Sequence, residues 1–228
     1  RAATIDPTLA EPFNNLGALS RLAGELDAAE RYYKEALLRR HEYPEAHYNL
    51  ALVMEERDDP NSAEHYYRNA LFQRPDYLKA LNNLSVLMIS NGRFDEAEAI
   101  LREALGTHAS SPELLTSLGT CLRQKGTLRA AADAYQKAIA IKPQIVEATW
   151  NLALIELAEG KFYEGWKHYR YRPSVGREIY PLPKAILEEN LTGRSYYLHG
   201  EQGLGDELFF LRFFERNWLT GFVSKRGV

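Results

Sequence analysis

The hydrophobic positions of the chain repeat every 34 residues: stepping by that period gives Leu16, Leu50, Leu84, Leu118 and Leu152. The next position is always small: Gly17, Ala51, Ser85, Gly119 and Ala153. Twelve residues further on stand Ala29, Ala63, Ala97, Ala131 and Gly165, and four beyond these Tyr33, Tyr67, Leu101, Tyr135 and Tyr169. Two antiparallel helices approach closely only where their side chains are small, and bulky residues fill the space beside the crossing. The pattern therefore predicts a two-helix unit, repeated. The turn between the helices falls at Gly24, Asp58, Gly92, Gly126 and Gly160, where glycine accepts the left-handed backbone that ends a helix. Pro7, Pro75 and Pro143 stop the second helix; His41 and Ala109 take that place in two units, with Pro44 and Pro112 three residues later. An ordinary amphipathic bundle has no reason to hold so fixed a register.

Five units follow from this reading, at 10–43, 44–77, 78–111, 112–145 and 146–172, after a partial one at 1–9. Ala2 and Pro7 fall in register with the alanine and proline of the later second helices. The chain is thus expected to open inside an earlier repeat, as a fragment of a longer protein whose N-terminus and any targeting signal lie upstream. In the last unit Arg172 replaces the alanine of that column. Phe162, Trp166 and Tyr169 make its second helix aromatic and ready to receive a following domain. Residues 173–191, with three prolines, read as a linker.

Composition adds limits. Net charge is -3, with 26% charged and 45% hydrophobic residues, as in an ordinary globular protein. Near-neutral charge argues against nucleic acid as a partner. No apolar run approaches the ~20 residues of a membrane span, and the expected location is cytoplasmic. Cys121 is alone and reads as a small packing residue. No histidines are spaced as metal ligands.

The Asn-Leu-Gly/Ala motif, the alanines, the tyrosine column and the closing proline resemble the tetratricopeptide (TPR) repeat family over residues 1–172. The resemblance implies an all-α fold, a right-handed superhelical solenoid that binds proteins or peptides along its concave face. First helices line that face. One of its columns reads Asn15, Asn49, Asn83, Ser117, Asn151. An amide both donates and accepts, so such a ladder can hold an extended peptide by its backbone, as a similar ladder does in O-linked N-acetylglucosamine transferases. It can equally satisfy groups between the helices. The neighbouring column is Asn14, Tyr48, Asn82, Thr116 and Trp150; Tyr48 and Trp150 are candidate anchors or packing residues. A third, Glu11, Glu45, Lys79, Glu113 and Glu147, is mainly acidic. With one lysine it excludes a chaperone-type carboxylate clamp and suits a neutral or mildly basic segment.

Residues 192–228 differ. SYYLH, then GEQGLGD, then ELFFLRFFERNW and GFVSKRGV read as strand, glycine-rich turn, apolar helix and strand, the start of a parallel α/β sheet. Gly200, Gly203 and Gly205 shape the turn, and Asp206 suits an N-cap. The stretch LTGRSYYLHGEQGLGDELFFLRFF resembles the opening of GT-B glycosyltransferase domains, related to heptosyltransferases, that follow TPR arrays in bacterial proteins. The resemblance implies that Asp206 is the general base for an acceptor hydroxyl. The linker lacks that family's Pro-x-Trp-x-Gly element, and the half that would bind nucleotide-sugar is absent. The chain itself then needs no cofactor, and a nucleotide-sugar donor belongs to the parent. Two readings stay open: the substrate-recruiting part of a larger TPR-glycosyltransferase, or an interaction module without catalysis.

Overall fold

A computed structural model describes residues 9–169. Among them are ten α-helices: α1 (Ala10–Leu22), α2 (Leu26–Arg39), α3 (Pro44–Glu56), α4 (Pro60–Gln73), α5 (Leu78–Ser90), α6 (Phe94–Thr107), α7 (Pro112–Gln124), α8 (Leu128–Ile141), α9 (Val146–Ala158) and α10 (Phe162–Tyr169). They pair as α1–α2 through α9–α10, and each pair packs on the next. The described residues form an all-helical TPR solenoid.

The turn inside each pair uses the left-handed backbone that the glycines announced. Gly24, Gly92, Gly126 and Gly160 have φ between 74° and 81°, and Asp58 fills the same place at φ 59°. An L residue there costs about 1 kcal/mol or more relative to glycine. The second helices close at one register whether or not proline follows: Arg39 before His41, Gln73 before Pro75, Thr107 before Ala109. Proline agrees with a stop that the units without it also reach. Pro44 and Pro112 instead open α3 and α7, where a fixed φ and a missing N–H cost nothing.

The core is the set of columns read above. Ala29, Ala63, Ala97 and Ala131 are wholly buried, as are Tyr33, Tyr67, Leu101 and Tyr135. A Cβ added to Gly17 would lie 2.6 Å from the Tyr33 ring, and one on Gly119 2.6 Å from the Tyr135 ring. These two repeats pair glycine with a full tyrosine; in the same two columns the second repeat has Ala51 and Tyr67 and the third Ser85 and Leu101, all wholly buried. Burying each such ring or leucine contributes about 1.5–3 kcal/mol.

Neighbouring pairs are also linked on the turn side. Arg57 reaches back to Asp27 and Glu30 of the preceding pair. Lys125, two periods on, reaches Asp95 at 2.6 Å and Glu98 at 2.7 Å. Between them that column holds Asn91, and Arg93 serves instead, 2.6 Å from Glu64. The cations of Lys34 and Arg57 hold the Glu30 carboxyl below its ordinary range against its partial burial. Lys125 and Arg102 do the same for Glu98.

Candidate functional site

The first helices α1, α3, α5, α7 and α9 line the concave face, and their polar columns bond from one repeat to the next. Asn49 Nδ2 donates to Asn14 Oδ1 at 2.9 Å. Asn83 Nδ2 donates to the Tyr48 hydroxyl at 3.3 Å and lies 3.2 Å from the Tyr67 hydroxyl. Ser117 Oγ donates to Asn82 Oδ1 at 2.8 Å. These links join residues 35 apart, one column to its neighbour in the preceding repeat. The asparagines thus hold successive first helices together. Each amide has two N–H bonds and an oxygen, so one such link leaves capacity facing the groove.

Exposure along these columns is uneven. Asn15 is exposed, while Asn14, Tyr48, Asn49, Asn82 and Asn83 are half-buried. Thr116, Ser117 and Asn151 fall to 3%, 7% and 8%. Thr116 turns its hydroxyl back onto the Pro112 carbonyl at 2.7 Å. Trp150 is half-buried with its ring 4.8 Å from that of Tyr169. The Tyr48 ring is 5.2 Å from Tyr77 and 5.9 Å from Tyr67. Tyr67 donates to Glu55 Oε2 at 2.6 Å. Burial first, and Glu55 beside it, hold that phenol far above its ordinary range, so it remains a donor. Burial and Glu45 push Tyr77 up to about 12.

The acidic column is largely neutralised by the chain's own cations, which its composition alone did not reveal. Glu11 pairs with Arg40 at 2.6 Å, Glu45 with Arg74 at 2.6 Å and Glu113 with Lys142 at 2.9 Å. Arg40 and Arg74 also stack over the rings of Tyr43 and Tyr77. Lys79, exposed in the same column, has no ion-pair partner among the described residues.

Sequence reading also missed an apolar strip. Leu52 is half-buried, and Val86 and Leu154 are 46% and 36% exposed. They share a column with Ala18 and Thr120. The signal was present as a 34-residue register and needed only to be followed on the groove side of the helix. At the rear, Glu156 is 6% exposed in the column of Met54, Met88 and Leu122. Its Oε2 lies 2.7 Å from His168 Nδ1.

Cys121 is buried, and its thiol donates to the Phe94 carbonyl at 3.2 Å. Burial pushes its ionisation up, as suits a packing residue. Among the described residues no group of three or more His, Cys, Asp or Glu is arranged to hold a metal ion. Asp206, Gly200, Gly203 and Gly205 lie outside the described residues.

Paired helices in a fixed register, small residues at the crossings and a groove lined by first helices define a tetratricopeptide-repeat solenoid, and the chain is a tetratricopeptide-repeat protein. Two family profiles match it. The cilia and flagella-associated protein 70 middle TPR-like domain matches residues 15–114, and the tetratricopeptide repeat matches 89–144 and 118–164. Among solved structures it is similar to MamA from Desulfovibrio magneticus RS-1. That match has 18% identity, covers 70% of this chain and 90% of that one, and has a TM-score of 0.61. It is similar to Pseudomonas aeruginosa PilF at 21% identity, over 71% of this chain and 74% of that one, with a TM-score of 0.66. It also matches YrrB, described as "a TPR protein with an unusual peptide-binding site", at 18% identity, over 73% of this chain and 86% of that one, TM-score 0.57. At these identities the likeness is one of fold. No curated protein matches the chain.

Proposed function

We propose that the chain is a protein-interaction scaffold whose concave face holds an extended polypeptide, and that in its parent it recruits that polypeptide to a glycosyltransferase. The observation that carries the first part is the pairing of chemistries on one surface. Half-buried amides at Asn14, Asn49, Asn82 and Asn83 share the first-helix face with exposed apolar groups, Val86 on the helix of Asn82 and Asn83 and Leu154 in the last repeat. An extended backbone presents N–H and C=O groups that such amides match, and its side chains can cover the strip. Tyr48 and Trp150 are the aromatic anchors of this reading. YrrB's peptide-binding site, on the same fold, supports it. Among the described residues no helix is long and apolar enough to cross a membrane. A cytoplasmic location is a separate part of the proposal.

The test is selection of random decapeptides on the chain, followed by titration of those enriched. Val86→Glu is expected to weaken them at least tenfold. Phe72→Glu, at a second-helix side chain 89% exposed, should leave them unchanged. Equal effects of the two substitutions would remove the groove from the reading.

The glycosyltransferase part is supported by the resemblance of residues 192–228 to a GT-B opening, with Asp206 as general base and a nucleotide-sugar as donor. Consumption of nucleotide-sugars by the full parent protein, with lysate acceptors, tests it. Turnover lost in a folded Asp206→Asn variant supports the enzyme. Turnover in neither form, across a panel of donors, leaves a scaffold alone.

A further inference from the structure

Lys79 breaks two rules that its column otherwise keeps. The first is electrostatic. α1, α3, α7 and α9 carry Glu11, Glu45, Glu113 and Glu147 in their first turns, where the positive end of the helix dipole favours an acid. α5 has no acid in its first turn and places Lys79 there. The second is the ion pair across each repeat. Arg40, Arg74 and Lys142 answer the glutamates of their own units. The residue of that column in the third unit is His108, so the register matches lysine with histidine where the other units match acid with base. Local choices that cost stability in several ways at once cluster at functional sites.

The surroundings of Lys79 are those of an anion acceptor. Asn82 and Asn83 lie three and four residues on, on the same helix face. Ser117 occupies Asn82 Oδ1 at 2.8 Å, which leaves both Asn82 N–H bonds to donate. Tyr48 accepts from Asn83 at 3.3 Å and keeps its own O–H. The flanking acids Glu45 and Glu113 are already paired with Arg74 and Lys142, so the adjoining rungs are close to neutral and do not repel an anion. Glu55, in the last turn of α3, accepts from the buried Tyr67 at 2.6 Å, and the exposed Asp76 stands two residues before α5.

We propose that Lys79, with Asn82 and Tyr48, forms a subsite for an acidic side chain of the extended segment held in the groove. The inference rests on the groove reading above and revises its charge: the preferred segment is acidic opposite the third repeat, not neutral or mildly basic. A carboxylate there meets the Lys79 ammonium, the unfilled N-terminus of α5 and the Asn82 amide together, and charge-assisted bonds of this kind are the strong ones.

The same random decapeptides, displayed without a free carboxyl terminus, test it. Enriched sequences should carry Asp or Glu at one fixed place, and its replacement by Asn or Gln should weaken binding at least tenfold. Lys79→Gln should erase that preference, and Lys79→Glu should select Lys or Arg instead. Lys79→Glu should also melt about 1–3 °C higher than the natural chain, since an acid suits the first turn. Lost binding would then not be lost fold. Enriched peptides with no fixed acid, or a preference that survives Lys79→Glu, overturn the subsite and leave the groove. Binding only by synthetic peptides with a free carboxyl terminus overturns the side-chain assignment. No enriched peptide at all overturns the groove reading itself.

Discussion

The first three repeats and the last two use the same columns for different ends. In α3 and α5 the paired polar columns are half-buried at Tyr48, Asn49, Asn82 and Asn83 and open to the groove. In α7 they are taken into the core, and in α9 Asn151 is while Trp150 stays half-buried. Thr116, Ser117, Thr149, Asn151 and Glu156 are all buried there, and Ser85 is the other buried polar residue among those described. The register therefore fixes where a side chain sits on its helix, but its neighbours decide whether it meets solvent. The front is a surface built to be covered by something else; the rear has largely covered itself.

Substitutions can break or sharpen this contrast, and the largest effect belongs to the core beneath it. Gly119→Ala drives a methyl into the wholly buried Tyr135 ring and should cost about 1–3 kcal/mol, read from urea denaturation. Gly17→Ala meets Tyr33 equally closely. However, α1 is held by fewer buried neighbours, with Ala10 and Gly17 its buried residues, so it can shift and should lose less. Equal losses at the two sites would erase the distinction between front and rear.

Next comes the buried pair at the rear. Glu156→Leu restores the kind of residue that Met54, Met88 and Leu122 supply in the same column. His168 keeps access to water, at 27% side-chain exposure. Removing one partner of a buried pair is costly when the other is left without water, and His168 is not, so the variant should unfold within about 1 kcal/mol of the natural chain. A clear loss would show that the pair positions α10 in a way that packing cannot.

The asparagines give a smaller and more direct comparison. Asn151→Ala removes a buried amide and should cost about 1 kcal/mol. Asn15→Ala, at an exposed position, should stay within about 0.5 kcal/mol. A reversal would mean that the front ladder, not the rear, carries the stacking.

The smallest effect is one of pH and touches both halves through the turn-side links. Glu30 and Glu98 have carboxyls held below the ordinary value of 4.5 by their cations. The unfolded chain therefore binds more protons just under that value. The stability these groups lend is complete above it and is lost as pH falls through their lowered values. Melting temperature should decline on acidification below 4.5, and Glu98→Gln should flatten part of that decline.

Most of the fold was legible because it is written in repeated residues. The leucine, small-residue and tyrosine columns, together with Gly24, Gly92, Gly126 and Gly160, make the same demand in unit after unit, and a demand met several times is hard to misread. The groove was less legible because its behaviour depends on pairs. Glu45 reads as an acid facing the ligand until Arg74, 29 residues on, is seen beside it. Asn49 reads equally as a peptide-holding amide and as a link between helices until it is placed against Asn14. Val86 and Leu154 read as ordinary helix residues until their shared exposure is known. The proline column was legible in the same way as the leucine and tyrosine columns: the second helices close two residues before Pro75 and Pro143, and equally before His41 and Ala109, which stand in that place in the other units.

The links between units have short spans along the chain, 35 residues across the groove and 27 to 30 on the turn side, while the 29-residue pairs at the groove edge lie within one unit. None reaches much beyond a single period. A segment such as 44–77 can therefore be copied or deleted as a block with few bonds stranded: after its deletion the register sets Arg93 against Glu30 and Asn83 against Asn14, and Arg21 and Asp27 lose the partners Glu56 and Arg57. Such a molecule has a length that is free to change and a cross-section that is not. Growth by duplication adds rungs to the groove one at a time while leaving the closure of each rung as it was.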